Sequence, residues 1–588
     1  MLSYEFTARR FLSVRSAYNP SFSYDGSKLV FISDISGVPQ LWVYEKDVID
    51  QLTPFDDRVA AVRCSPCDDS IAFTMDRGGD ERFQLLLLRD GGLTRLAGGD
   101  GSINYLGVWS PEGDRIAYTS NTRDVRVFDL HIVDVGTGTS EVWYNGCSMC
   151  FAETWTRAGI VVNELESSLN TNLILASRKG AEVLIPHSDE ALFRCVRSDP
   201  SGKGLYMATN LGREFTGLAY YDLARKSLKF LYESRWDVEL VEVSGRGTVA
   251  FTVNVDGYSK LFLYEPGDRP VEVRIPEGVV NAMAWSPDGR LAISLSTPTS
   301  PSNIYMVDVE KAVQLTHMPM MGLKGQQLST PKPFRYCSFD GLEVPVLAYK
   351  PPTGKPPYPT IIWVHGGPEA QARPSFNPLV QLLAYKGFMV LAPNVRGSTG
   401  YGRTYVHMDD VEKRFNALRD VYELAKWAVE EGMARPKLGI IGASYGGYTV
   451  LACLAFFPEM WAAGVDIVGI ASLVTFLKNT GPWRRRIRER EYGSLEEDLE
   501  VLERLSPLNY VDRIRAPLLV IHGRNDPRVP VTEALQIVEA LKSRGRIVEA
   551  LILDDEGHGL SKIRNRVRAY TAALHFLEKH VKRTSPSS

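Results

Sequence analysis

The stretch Leu438-Gly439-Ile440-Ile441-Gly442-Ala443-Ser444-Tyr445-Gly446-Gly447-Tyr448 decides how the C-terminal part of the chain folds. A short apolar run of strand composition meets a glycine-flanked serine, and the run Tyr448–Phe457 that follows has helical composition. Glycines on both sides of a serine permit the sharp strand-to-helix elbow that lifts a hydroxyl clear of a sheet. Between Lys437 and Glu459 lie 21 uncharged residues, long enough to cross a bilayer by length alone. Gly439, Gly442, Gly446, Gly447 and Pro458 break that run, which reads as a buried strand, a turn and a buried helix rather than a membrane span.

The same alternation extends outward from the elbow. After Pro331, strand candidates fall at Val344–Tyr349, Thr360–Val364, Met389–Ala392, Leu438–Ile441, Gly464–Val468, Leu518–Ile521 and Glu549–Leu553, with helix candidates such as Val411–Glu431 and Thr532–Ser543 between them. Strands alternating with helical segments predict a doubly wound, mostly parallel sheet, the α/β-hydrolase architecture, over residues 321–588.

Upstream the pattern is different. A turn phrase recurs at Ser23-Tyr24-Asp25-Gly26, Ser65-Pro66-Cys67-Asp68, Ser110-Pro111-Glu112-Gly113, Thr156-Arg157-Ala158-Gly159, Asp199-Pro200-Ser201-Gly202, Ser244-Gly245-Arg246-Gly247 and Ser286-Pro287-Asp288-Gly289, in steps of 42, 45, 46, 43, 45 and 42 residues. Asp, Pro and Gly supply tight-turn chemistry, and runs such as Arg115-Ile116-Ala117-Tyr118-Thr119 supply strands. A period of about 40–50 residues carrying several short strands is the signature of a β-propeller. Seven copies predict seven blades over residues 20–320, the copy at Thr156 being the weakest, and a β-sandwich array is the alternative.

Composition sets the outer limits. Of 588 residues, 44% are apolar and 23% charged, ordinary for a globular chain, and the net charge of −3 is too balanced for a surface that wraps nucleic acid. Seven cysteines are too few for a disulfide-stapled secreted framework, so a reducing, cytoplasmic setting is expected. Cys64-x-x-Cys67 and Cys147-x-x-Cys150 have the spacing of half zinc sites, with buried thiols or a disulfide as the plainer reading. The N-terminal MLSYEFTARRFLSV carries charges where an export signal needs an apolar core.

A serine hydroxyl becomes a nucleophile only when a base removes its proton, and the base needs a carboxylate to orient it. In α/β-hydrolases the acid and then the histidine follow the serine, each in a loop after a strand. Asp526, in His522-Gly523-Arg524-Asn525-Asp526, comes 82 residues after Ser444, and His558, in Asp554-Asp555-Glu556-Gly557-His558-Gly559, a further 32. His365, His522, His575 and His580 read as structural, Asp554 and Asp555 as turn residues, and Asp512 as a cap or turn before Pro517. For an oxyanion hole, the amide of Tyr445 follows the nucleophile directly, and Gly367 in Val364-His365-Gly366-Gly367-Pro368 supplies the second donor, with Gly366 not separable from it on sequence. No metal and no organic cofactor are required.

Five motifs, His365-Gly366-Gly367-Pro368, Arg396-Gly397-Ser398-Thr399-Gly400-Tyr401-Gly402, Gly442–Tyr448, Asn525-Asp526-Pro527-Arg528-Val529-Pro530 and Gly557-His558, together with the sevenfold repeat, resemble the prolyl oligopeptidase family of serine peptidases, and within it the acylaminoacyl-peptidase branch. The resemblance implies that Ser444, Asp526 and His558 are the triad and that Arg528 binds the substrate carbonyl next to the residue cleaved, a surface salt bridge being the alternative. It implies that residues 1–19 pack on the hydrolase domain and that the propeller covers the active site, admitting short peptides and acylated peptides but not folded proteins. It allows a homodimer or higher homo-oligomer. Relatives that hold a free amino terminus use an adjacent Glu pair, and residues 20–320 contain no Glu-Glu step, which leans toward blocked N-termini or endopeptidase action. Phe476 and Trp483 are expected as apolar walls of the specificity pocket. Carboxylesterase, dipeptidyl-peptidase or oligopeptidase action on the same triad, and a propeller interaction module with an inert hydrolase domain, are the other readings.

Overall fold

A computed structural model describes residues 2–308 and 310–582. Residues 17–314 form seven four-stranded antiparallel sheets: blade 1 (17–51), blade 2 (59–97), blade 3 (104–144), blade 4 (150–183), blade 5 (193–232), blade 6 (238–273) and blade 7 (279–314). Within a blade the second strand is the most buried, as in Leu29–Ser33 and Gly204–Thr209, whereas outer strands such as Gly180–Val183 are exposed along their length. A strand packed between blades on both faces must be apolar throughout, and only its neighbours supply that cover.

The repeated turn does the same work in each copy. The Ser23 hydroxyl accepts from the Lys28 amide at 3.0 Å, and the Ser286 hydroxyl from the Arg290 amide at 2.8 Å. In the divergent blade 4, the Thr156 hydroxyl takes the serine's place, accepting from the Ala158 and Gly159 amides at 3.2 Å. Tryptophans before two of these turns tie neighbouring blades: Trp109 Nε1 donates to Arg63 O at 3.1 Å and Trp285 Nε1 to Glu242 O at 3.3 Å. Each sheet uses consecutive strands only. Blade 7 and the segment after it therefore close on blade 1 by packing Ala292, Ile304 and Met318 against Leu29, Phe31 and Trp42.

The eight-stranded sheet of the hydrolase domain runs in the order β1-β2-β4-β3-β5-β6-β7-β8, where β1 is Lys332–Cys337, β2 Glu343–Tyr349, β3 Thr360–Val364, β4 Met389–Pro393, β5 Leu438–Ala443, β6 Trp461–Ile467, β7 Leu518–Gly523 and β8 Val548–Leu553. Strands β1 and β2 are antiparallel to their neighbours and the rest are parallel. Helices cover both faces, as a parallel sheet requires. Helices α1 (Leu2–Leu12), α2 (Pro378–Tyr385) and α8 (Ile563–Leu577) bury Phe11, Leu12, Leu382, Leu383, Leu574 and Leu577 on one side. On the other, α3 (Arg414–Glu430), α4 (Tyr445–Phe456) and α7 (Thr532–Lys542) bury Val421, Leu424, Val450, Leu451, Ile537 and Leu541. Helix α3 starts at Arg414 because Val411–Lys413 is a 3-10 turn, and strand β1 has no counterpart among the sequence expectations. The buried strand, turn and helix expected between Lys437 and Glu459 are β5 and α4, and no helix of the described residues is long and apolar enough to cross a membrane.

Candidate active site

Strand β5 lies in mid-sheet between β3 and β6, and Ser444 closes it at φ 59°, ψ −119°. A side chain bearing a Cβ is strained there, and the surroundings enforce the strain. The Ser444 amide donates to Ile467 O at 2.9 Å, and its carbonyl accepts the Tyr448 amide at 3.0 Å. The flanking glycines are needed for space: a Cβ on Gly442 would lie 2.4 Å from Gly446 O, and one on Gly446 would lie 2.3 Å from Val364 O.

The predicted acid and base follow β7 and β8. Both oxygens of Asp526 are occupied: Oδ2 meets His558 Nδ1 at 2.7 Å, while Oδ1 accepts the Arg528 and Val529 amides at 2.8 and 3.0 Å. Burial works to raise the Asp526 pKa, but the facing His558, His522 and the amides outweigh it and hold the carboxylate below its ordinary range. His522 lies beneath, fully buried, with Nε2 2.8 Å from Val529 O and 3.6 Å from Asp526 Oδ2. Burial lowers its pKa, which suits a neutral packing role. Among the described residues no hydrogen bond joins the Ser444 hydroxyl to His558. Such bonds are often long in free enzymes and tighten when substrate arrives.

The two predicted oxyanion donors flank the serine. Tyr445 is the first residue of α4, so its amide has no intrahelical acceptor. The 365–368 loop abuts the elbow, since a Cβ on Gly366 would lie 3.1 Å from Ala443 O and 3.5 Å from Ser444 Cβ, and Gly367 takes a φ of +125°. Buried His365 pins this loop, its ring nitrogens 2.7 Å from Gly366 O and 2.9 Å from Ser398 Oγ.

The propeller contributes to this face. Gly78 and Gly79, in a turn of blade 2, press on the acid loop and the histidine loop respectively: a Cβ on Gly78 would lie 2.8 Å from Asn525 Nδ2 and one on Gly79 2.3 Å from Gly557 N. Asn525 Nδ2 donates to Gly78 O at 2.9 Å. Two residues on, buried Glu81 sits 2.8 Å from Arg528 Nε through both carboxylate oxygens, leaving the Nη edge of a half-exposed guanidinium uncommitted to that pair. Sequence reasoning missed Glu81 and the glycine pair. The only signal was that Arg77-Gly78-Gly79-Asp80 is a turn outside the repeated phrase.

Phe476 and Trp483, the expected pocket walls, belong to different hydrophobic clusters. Phe476, in helix α5 (Leu473–Asn479), packs with Tyr445, Tyr448, Tyr492 and Val529 inside the hydrolase domain. Trp483, in helix α6 (Pro482–Tyr492), instead packs on the propeller cluster of Phe83, Tyr105 and Trp155. Under Tyr445 runs a buried ionic network: Arg414 bridges Asp409 and Glu491 at 3.1 and 3.0 Å, and Arg488 bridges Glu491 and Glu369 at 3.0 and 3.2 Å. Arg396 of the Arg-Gly-Ser-Thr-Gly-Tyr-Gly motif is likewise buried against Asp420 and Asp340. An interdomain cavity of about 630 Å³ lies between blades and sheet, walled by Glu153, Glu239, Trp363, Gln371 and Arg373, and the three triad candidates are not among its walls.

Cys64 and Cys67 lie in blade 2, Cys147 in the connection from blade 3 and Cys150 at the start of blade 4; all seven cysteines are unpaired, and the described residues contain no group of three or more His, Cys, Asp or Glu placed to hold a metal ion.

Residues 374–584 match the family model described as the prolyl oligopeptidase family. Dipeptidyl aminopeptidase BIII of Pseudoxanthomonas mexicana is 28% identical over 599 residues, covering 94% of this chain and 85% of that protein. The acylamino-acid-releasing enzyme of Rattus norvegicus is 25% identical over 299 residues, covering 49% of this chain and 40% of that one. A puromycin-hydrolyzing peptidase of Mycobacterium tuberculosis shares the fold with a TM-score of 0.84 at 20% identity, over 98% of this chain and 96% of that one.

Proposed function

From the premise that the chain is a serine peptidase of the prolyl oligopeptidase family, we propose that Ser444, His558 and Asp526 cleave short peptides through an acyl-enzyme. The 2.7 Å bond between His558 Nδ1 and Asp526 carries the reading, because it leaves Nε2 as the nitrogen that takes the Ser444 proton. Ser444 Oγ attacks the scissile carbonyl, and the Tyr445 and Gly367 amides receive the oxyanion. His558 then protonates the leaving amine, and water repeats the sequence to free the acid. The uncommitted edge of Arg528 holds the substrate carbonyl next to the cleaved residue. Ionised Asp526 stabilises the imidazolium formed on the way.

The substrate reading is a blocked, N-acylated peptide. Arg528 and Arg484 put positive charge beside the acid loop, which disfavours a free ammonium there, and residues 20–320 hold no Glu-Glu pair to receive one. A second reading, release of dipeptides from free N-termini, is favoured by the dipeptidyl aminopeptidase whose match covers 94% of this chain. With the propeller packed over the face that carries Gly557 and Arg528, bulky folded proteins are excluded as substrates. Seven unpaired cysteines suit a cytoplasmic setting.

A panel of acetylated, free and proline-containing peptide anilides with simple esters, run on the full chain, separates these readings. Ser444→Ala is expected to fold normally, lose about 10⁶-fold in kcat, and lose labelling by an organophosphonate. Retention of wild-type turnover on every substrate would refute the triad.

A further inference from the structure

The five arginines around the site are not equally partnered. Arg58 is held by Asp76, Arg414 by Asp409 and Glu491, Arg488 by Glu369 and Glu491, and Arg528 by Glu81. Among the described residues Arg484 makes no side-chain hydrogen bond or ion pair, and its Nη1 is shut off from solvent without a partner. A charged nitrogen shut off from water and left unpaired is costly unless an anion arrives to meet it.

Its position is fixed from three sides. Thr480 Oγ1 donates to Arg528 O at 2.7 Å, and the Gly481 amide to Pro527 O at 2.9 Å, so α6 begins on the loop that carries the acid. Trp483 docks on the propeller. Arg488, one turn later on the same helical face, is anchored to Glu369, two residues past Gly367. Tyr105 of blade 3, between the rings of Phe83, Phe128 and Phe151, lies within electrostatic reach of Glu81, Arg528 and Arg484 together. Burial, then Arg488 and Arg528, bring the Arg484 pKa down to about 10 against the pull of Glu81 and Asp526, so it stays charged at neutral pH.

We propose that Arg484, beside the Arg528 that holds the substrate carbonyl, receives a carboxylate of the substrate, making this peptidase selective for anionic peptides. The inference rests on the Ser444 reading above and adds the chemical class of the substrate. A guanidinium fork matches a carboxylate in two hydrogen bonds, which an amide of the same shape cannot reproduce with charge.

The test measures kcat/KM for acetyl-peptide anilides with Glu or Gln at each of the two positions before the scissile bond, and for acetyl-peptides with free or amidated C-termini. The enzymes are the full-length wild type, Arg484→Met and Arg484→Lys. One carboxylate is expected to be preferred over its amide by roughly tenfold or more, as expected for one charge-assisted pair. Arg484→Met brings that ratio to near one, and Arg484→Lys restores part of it. A response in the Glu arm places the subsite on the acyl side, and one in the C-terminal arm places it on the leaving side. A purely structural role for Arg484 would lower acidic and amide substrates together and leave the ratio unmoved. That result, or absence of preference for any carboxylate in the wild type, overturns the proposal. Failure of phosphonate labelling at Ser444 would instead sink the triad reading.

Discussion

Gly79→Ala tests whether the propeller helps to position the proposed catalytic base. Gly79 sits at φ +80°, and a Cβ there would lie 2.3 Å from Gly557 N and 2.9 Å from Gly557 Cα. Ordinary contact begins near 3.4 Å, so the two backbones must part by about 1 Å. Gly557 is bonded to His558, and the displacement passes directly to the imidazole whose bond to Asp526 is 2.7 Å long. A 1 Å error in a catalytic group costs up to about 10²-fold. The left-handed backbone alone costs the alanine about 1–2 kcal/mol of stability.

Gly91→Ala separates the two effects. Gly91 has nearly the same φ, +71°, in the same blade, but nothing lies within 4 Å of its Cβ direction. Both variants are expected to lose a similar increment of thermal stability from backbone strain, with any further loss in Gly79→Ala due to crowding. Only Gly79→Ala should lose kcat, measured on an acetylated anilide, with a parallel fall in phosphonate labelling of Ser444. Wild-type kcat in Gly79→Ala, or an equal kcat loss in Gly91→Ala, would refute the argument that the blade 2 turn sets the histidine loop.

Arg414→Leu should destabilise the chain by about 3–5 kcal/mol in denaturant unfolding, because it strands Asp409 and Glu491 without their buried partner, and a loss under 1 kcal/mol would count against the network. His407 should act as a pH-dependent latch between the domains: its ring lies 2.6 Å from Asp410 and 2.8 Å from Glu190, with Arg403 3.4 Å from the same glutamate. The hydrogen bonds to Asp410 and Glu190 raise its pKa to about 10, so its stabilisation is complete below about pH 6.5 and is lost as pH rises through 10. His407→Gln should therefore have a lower Tm than wild type at pH 6 and meet it above pH 10, whereas a constant offset across that range would contradict the latch.

How much of this was legible in the sequence depended on how local each signal was. The elbow at Ser444 could be read because the strand, both glycines and the helix lie within twenty residues, and their steric demand is met by neighbours such as Gly446 and Val364. The blades could be read because each repeats a turn whose first side chain accepts a backbone amide, a role kept by Thr156 and Asp199 where the residues diverged. That Trp483 packs on the propeller while Phe476 packs inside the hydrolase domain was not legible, since an aromatic residue near the site has the same composition whichever domain it faces. Glu81 and Gly79 were missed for a related reason: their partners Arg528 and Gly557 are more than 400 residues away, and the off-phrase turn at Arg77–Asp80 does not say what it meets. The proposed acyl-transfer chemistry draws on one domain's local motifs, but its positioning would depend on contacts that exist only once the two domains meet. Variants such as Gly79→Ala are therefore more informative about this enzyme than another substitution in the proposed triad.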